Sequence, residues 1–170
     1  QEWLRPYIDK IDYKILDAVP DYKPDIVGDI RNLPFTDNSQ EAILCIAVLE
    51  HVENPFKAVQ EMHRVLKPGG YLFAYVPFLY YYHAERGYYR DYWRFTEDAI
   101  NLLFKGFSTR EFARVRGALA TWLHISPLGR IKPLAALFRA LDRLLSKESS
   151  RQTSSSFLRG FPFQNLRLRH

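Results

Sequence analysis

Along the first 110 residues, apolar positions come in short continuous runs separated by polar turns, with one clear helical stripe among them. Tyr13–Asp17 (YKILD) is a short strand candidate that ends on an acid, and Asp25–Asp29 (DIVGD) is a second. Arg31–Ser39 holds Pro34, Asp37, Asn38 and Ser39, and so predicts a loop. Glu41–Val48 (EAILCIAV) is a nearly unbroken apolar run, the pattern of a strand buried on both faces. Tyr71–Pro77 (YLFAYVP) is a fourth strand. Between these last two, Asn54-Pro55 opens a helix, with Asn as N-cap and Pro at the first helical position. Phe56, Val59, Met62 and Leu66 recur at helical spacing, and Lys67-Pro68-Gly69-Gly70 stops the helix with glycine at positive φ. Strand, helix and strand in so short a span predict a βαβ unit with parallel strands.

The flanks are less regular. Glu2–Ile8 reads as a helix end near Pro6. Phe78–Phe95 breaks the alternation and is crowded with aromatic residues. Thr96 caps a further helix that Gly106 stops, and Phe107–Val115 is a later strand. These signals divide the chain into an α/β core over residues 1–116 and an extension over 117–170. In the extension, Leu134, Leu137, Phe138, Leu141, Leu144 and Leu145 line one face of an amphipathic helix over 132–147. A serine-rich loop follows at 146–156, then a last edge strand.

Composition narrows the class. The 170 residues are 47% hydrophobic and 25% charged, which suits one globular domain rather than a disordered chain. A single cysteine excludes a disulfide scaffold and a multi-cysteine zinc site, fits a reducing, cytoplasmic compartment, and no metal site is assigned. No apolar run is long enough to span a bilayer. The net charge of +5 permits an anionic partner. The basic residues are spread out, so no nucleic-acid partner is expected. The basic flanks of 132–147 suit either a peripheral membrane or lipid contact, or packing on the sheet.

In an open parallel sheet, ligands bind at the carboxyl ends of the strands. Asp17 at such an end suits ribose hydroxyls, and Asp29 suits an exocyclic amine; each is equally read as a solvated acid in a turn. The joint pattern is more specific. GDIRNLPFTDNS followed by EAILCIAVLEHVENPFKAVQEMHRVLKPGGYLFAYVPF resembles class I S-adenosylmethionine (SAM)-dependent methyltransferases of the large small-molecule type, over about Tyr13 to Phe107. The resemblance implies a Rossmann-like, doubly wound seven-stranded sheet with a late antiparallel strand, and SAM as cofactor. It places Asp17 on the ribose, Asp29 and Ile30 on the adenine, and Ala47, Leu49 and His51 near the ribose and methionine.

Gln40 and Glu41 depart mildly from the family, which has an apolar residue and then Asp there. A larger departure is the glycine-rich loop, expected roughly twenty residues before the ribose acid. Only sixteen residues precede Asp17 and none is glycine, so the sheet is expected to be N-terminally incomplete, without its first strand and that loop. On the acceptor side, His83 followed by Asp91, Tyr92, Trp93, Arg94, Phe95 and Thr96 is similar to the family's acceptor segment. His83 is the candidate base or substrate contact; packing against tyrosines is its plain alternative. Phe78 and Tyr92 are candidate acceptor-pocket residues, and Arg94 a candidate for an anionic group or for an ion pair with Glu97 or Asp98. His51 reads as a cofactor contact, His63 as a surface residue and Cys45 as a buried, unreactive thiol. Two functions follow: methyl transfer to a small-molecule, sugar or lipid-like acceptor, or a non-catalytic binding or scaffold protein on the same fold.

Overall fold

A computed structural model describes residues 12–114, 118–126, 133–134, 136–142 and 163–169. The strands are β1 (Leu16–Asp17), β2 (Ile26–Val27), β3 (Gln40–Ile46), β4 (Leu66–Pro77), β5 (Thr109–Arg114) and β6 (Phe163–Arg169). The α-helices with defined ends are α1 (Pro55–Val65), α2 (Glu97–Leu103) and α3 (Ala118–Ile125), and single 3-10 turns lie at Pro20–Tyr22 and Leu49–His51. β1 and β2 pair in parallel as a two-stranded sheet, and the other four strands run in the order β3-β4-β6-β5. The fold is the mixed, partly parallel α/β type expected from the pattern.

The predicted βαβ unit is β3-α1-β4. β3 and β4 are parallel, with Ala42 opposite Tyr71 and Ile46 opposite Tyr75. Asn54 caps α1 as its residue type predicts, its Oδ1 accepting the Lys57 N–H at 3.1 Å. Ala58, Val59, Met62 and Val65 are buried and form the centre of the core with Leu66, Leu72 and Ala74. Phe56, assigned to that stripe by spacing, is instead 46% exposed. The buried stripe runs through Pro55, Ala58, Val59, Met62 and Val65, and Phe56 falls one position off it.

Between α1 and the regular part of β4 the register shifts past Gly69 and Gly70. Gly69 has φ 80°, a left-handed value that favours glycine. A Cβ on Gly70 would lie 2.9 Å from the Lys67 carbonyl oxygen and 3.0 Å from that of Glu41. Both are backbone atoms and cannot swing aside. Gly70→Ala is therefore expected to cost about 1–3 kcal/mol of stability, read as a lower denaturant midpoint with unchanged slope. An unchanged midpoint would show that the turn relaxes freely. The expected helix stop is thus shifted: α1 ends at Val65, Leu66 is already extended, and the glycines sit at an irregularity inside β4.

β3 differs from expectation in its surroundings. Cys45 is 2% exposed, but Leu44 is 53% exposed. β3 pairs with β4 on one edge only, and among the described residues nothing pairs with its other edge. Its faces differ as well: Ile43 and Cys45 lie on the more covered face, and Ala42 and Leu44 on the more exposed one. β6 also differs: the sequence suggested an edge strand, and it instead lies antiparallel between β4 and β5. Which strands flank it is decided by the sheet, not by its own residues. α3 was not foreseen. Its N-terminal N–H groups are capped from outside, Leu119 and Ala120 donating to Asp142 at 3.1 and 2.8 Å. Residues 136–142 are helical, and Phe138 stacks on Trp122 of α3 at 6.3 Å. This part of the expected 132–147 helix therefore packs on protein. The remainder of that helix, the 146–156 loop and the Glu2–Ile8 segment lie outside the described residues. No described helix is long and apolar enough to cross a membrane.

One arginine fixes the loop between β2 and β3. Arg64 donates to Glu61, Asp37 and the carbonyls of Leu33 and Phe35, at 2.7 to 3.1 Å. All five guanidinium N–H groups are used, which ties the loop to the helix.

Candidate functional site

Parallel pairing places the ends of β3 and β4 on one edge, and the segments that follow meet there. Ala47, just past β3, has φ 52°, a value that costs a non-glycine residue of order 1 kcal/mol. Its N–H donates to the Tyr75 carbonyl at 2.9 Å, which holds the chain in that turn. The turn throws Leu49 inward, where it is fully buried, and brings Glu50 and His51 to the strand end.

The aromatic segment after β4 is tied across this edge by its backbone. Tyr92 and Trp93 N–H both donate to the Glu50 carbonyl, at 2.8 and 3.1 Å, and Phe95 N–H to that of Pro77 at 2.9 Å. The Trp93 indole donates to the Val52 carbonyl at 2.8 Å. The same segment reaches the turn after β1. There Tyr22 donates to Glu85 at 2.9 Å, Tyr88 donates to Asp21 at 3.0 Å, and the two rings stack at 5.5 Å. It thus spans the carboxyl ends of β1, β3 and β4.

Beneath it lies a compact polar group. The Asp91 side chain is 1% exposed and is gripped by Arg94, Nη1 to Oδ1 at 2.6 Å and Nη2 to Oδ2 at 2.8 Å. The Arg94 hydrogen bonds hold the Asp91 carboxyl well below the usual carboxylate range, against the opposing effect of burial. Asp91 also accepts the His83 backbone N–H at 2.9 Å. The Nδ1 of His83 lies 2.9 Å from the Tyr81 carbonyl oxygen and 3.1 Å from Asp91 Oδ2. Both neighbours are acceptors, so Nδ1 carries the proton and Nε2 presents its lone pair. His51 is arranged alike: its Nδ1 lies 2.7 Å from the Arg90 carbonyl oxygen, which leaves Nε2 as the lone-pair nitrogen. The two imidazoles meet edge to face at 4.7 Å. Burial holds the His51 imidazolium below its ordinary pKa, favouring the neutral ring.

Glu50 completes the group. It is 1% exposed, and its Oε1 lies 4.0 Å from His83 Nε2. Its Oε2 is buried with no hydrogen-bond partner among the described residues. Burial pushes the carboxyl up to about 7. Sequence reasoning passed over this residue as one letter of a family motif. The available signal was an acid lodged between buried Leu49 and His51, directly after an apolar strand.

The structure places the other predicted residues as follows. Asp17 stands at the end of β1, one oxygen accepting the Val19 N–H at 2.8 Å. A carboxylate accepts about four hydrogen bonds, so capacity remains for two ribose hydroxyls. Asp29 accepts from the backbone and guanidinium of Arg31 with both oxygens, at 2.7 to 3.0 Å, so an exocyclic amine there competes with Arg31. Ile30 packs against the core. With Leu49 buried, only its backbone can meet a ligand. Phe78 is half-buried, and Tyr92 is 44% exposed beside the cluster. Arg94 has no donor left for an acceptor anion. Besides Asp91 it donates to the carbonyls of Tyr80, Tyr81 and Trp93, which uses all five N–H groups. Its ion-pair partner is Asp91 rather than Glu97 or Asp98. His63 is half-buried, edge-on to Phe107 at 5.1 Å. Burial pushes the Cys45 thiol up to about 12, which removes it as a nucleophile. An open depression of about 660 Å³ is lined by Asp29, Arg31, Phe56, Lys57 and Trp93, and holds neither histidine of the cluster.

Residues 11–74 match a family model described as a methyltransferase domain. Over 53 residues the chain is 51% identical to a demethylmenaquinone methyltransferase of Paenarthrobacter aurescens, covering 29% of this chain and 21% of that protein. Over 54 residues it is 46% identical to a probable tRNA methyltransferase 9B of Mus musculus, covering 30% and 12%. The matches thus span about a fifth or less of these curated relatives. A SAM-dependent methyltransferase structure from Archaeoglobus fulgidus aligns with 91% of this chain and 74% of that chain, at TM-score 0.55 and 10% identity, a likeness of fold.

Proposed function

We propose, from the premise that this chain belongs to the class I SAM-dependent methyltransferases, that it serves methyl transfer to a small-molecule acceptor held beneath the aromatic segment. One observation carries the reading. Asp17, at the end of β1 in the two-stranded sheet, and the Glu50–His51–His83 group, past the end of β3 in the four-stranded sheet, meet along the line that the aromatic segment spans, linked by Tyr89. The Tyr89 ring lies 4.4 Å from His51, and its phenol is raised by burial and by the Glu85 and Asp17 carboxylates. A nucleoside hydroxyl pair and a reacting acceptor need those two chemistries side by side.

SAM, when bound, supplies a methyl group activated on a sulfonium, so most of what remains for the protein is alignment and exclusion of water. Asp17 fits the ribose hydroxyls. The Ala47 turn and the Leu49 backbone line the same edge. His83 faces the acceptor with the Nε2 lone pair, kept in that tautomer by Asp91, and draws off the proton of the acceptor's nucleophilic atom. Arg94 positions Asp91 and touches no substrate. Among the relatives, one is named for a quinone and one for tRNA. Two features favour a quinone-like, sugar or lipid-like acceptor over a polyanion. Arg31 and Arg94 are already bound to Asp29 and Asp91, and the surface above the strand ends is aromatic.

The test uses the full-length protein. Asp17→Ala is expected to weaken SAM binding about tenfold or more by calorimetry. His83→Ala is expected to lower turnover about a hundredfold with SAM affinity nearly unchanged. Unchanged turnover removes His83 from the chemistry. No SAM binding by the full-length protein leaves a non-catalytic binding role on this fold.

A further inference from the structure

We propose that Glu50, His51 and His83 form a binding site for one divalent transition-metal ion at the acceptor end of the edge. The inference rests on the transferase reading for its role, though not for the site itself. Each of the three offers one ligand atom, and these atoms lie within 4.8 Å of one another. Ligands around an ion at roughly 2.0–2.2 Å sit about 3–3.5 Å apart, so binding draws the three together by about an ångström. Side-chain torsions accommodate that.

Three features go beyond proximity. Both imidazoles are fixed with Nδ1 on an oxygen acceptor, Arg90 carbonyl for His51, Tyr81 carbonyl and Asp91 for His83. That arrangement orients metal-bound histidines in general, the outer acceptor setting the tautomer and raising the ligand's basicity. Second, Glu50 is 1% exposed and its Oε2 has no partner among the described residues. A buried unpartnered carboxylate oxygen is costly, and a cation is the partner it lacks. Third, among the described residues no lysine or arginine takes that place: Arg94, whose charge lies near Glu50, has spent every donor elsewhere.

Two imidazoles and one carboxylate suit zinc(II) or iron(II) and disfavour magnesium, which demands oxygen ligands. Three protein ligands leave coordination positions open. A bound ion would make an acceptor hydroxyl more acidic, and His83 would then serve as its ligand; the base role proposed above for the His83 lone pair belongs to the metal-free site.

The experiment is calorimetric titration of the full chain with Zn²⁺ in chelator-free buffer, with the visible spectrum of bound Co²⁺ as a second readout. One Zn²⁺ per chain is expected, with Kd micromolar or tighter. His51→Ala and Glu50→Gln are each expected to weaken it about 100-fold and to change the Co²⁺ spectrum, while His63→Ala leaves both unchanged. Glu50→Gln keeps the shape of the side chain, so its effect is not one of misfolding. Absence of binding at millimolar Zn²⁺ overturns the site. So does equal affinity in wild type, His51→Ala and Glu50→Gln, or Mg²⁺ binding as tight as Zn²⁺. SAM is titrated separately. Zn²⁺ binding without SAM binding sustains the site and removes its role in transfer; SAM binding without Zn²⁺ binding does the reverse.

Discussion

Replacing Arg94 by methionine is expected to lower stability at neutral pH by about 3 kcal/mol. Methionine roughly keeps the length of the aliphatic stem, so the loss is of charge and hydrogen bonds. Asp91, 1% exposed, is left as a buried carboxylate whose remaining partners are the His83 backbone N–H and the ring nitrogen Nδ1. The carbonyls of Tyr80, Tyr81 and Trp93 lose their donor as well. The pH dependence gives the signature. Arg94 depresses the Asp91 pKa, so the pair stabilises the fold above the unfolded carboxyl value of about 3.9, and that contribution is lost as pH falls. The deficit of the variant should therefore be widest near neutrality and shrink below about pH 4. Denaturant titrations at pH 2 and 7.5 check this; the same deficit at both would show that the guanidinium acts through packing alone.

Glu50→Gln should act in the opposite direction. Burial raises this carboxyl to about 7 from an ordinary value of 4.5. The folded state then holds its proton more tightly than the unfolded state. Stability falls as pH rises from about 4.5 through about 7, by at most about 3 kcal/mol at about 1.4 kcal/mol per pKa unit. Glutamine cannot ionise. The variant is expected to be about 1–3 kcal/mol more stable than wild type at pH 8, with the gap closing near pH 4.5. Thermal melts across that range, with a chelator present, read this directly. Parallel profiles for the two proteins would mean that folding leaves the Glu50 carboxyl unshifted.

These two residues show why part of the site was hidden in the sequence. Arg94 was read as a substrate residue because it stands in an acceptor-like segment. Its role depends on Asp91, three positions earlier, and on carbonyls of Tyr80 and Tyr81 that only the folded loop brings near. Glu50 looked like a motif letter because its burial depends on the aromatic segment crossing the strand ends. His83 and His51 were legible as candidates, but not as a pair: 32 positions separate them, and the meeting of their rings follows from the parallel pairing of β3 with β4.

The local devices were written plainly. Asn54-Pro55 starts α1, Thr96 caps α2 by accepting the Ala99 N–H at 3.2 Å, and Gly69-Gly70 carry the irregularity within β4. Each depends on a few neighbouring residues, so the sequence alone determines it. So does the parallel βαβ unit, because a single helix between two apolar runs has few ways to return. What the tertiary structure alone decided is long-range. It set β6 between β4 and β5, left Leu44 exposed on β3, packed 136–142 on α3, and gathered Glu50, His51, His83, Asp91 and Arg94 into one polar cluster. Those outcomes depend on which distant backbones share hydrogen bonds and which charges share a buried volume, and periodicity along the chain carries neither.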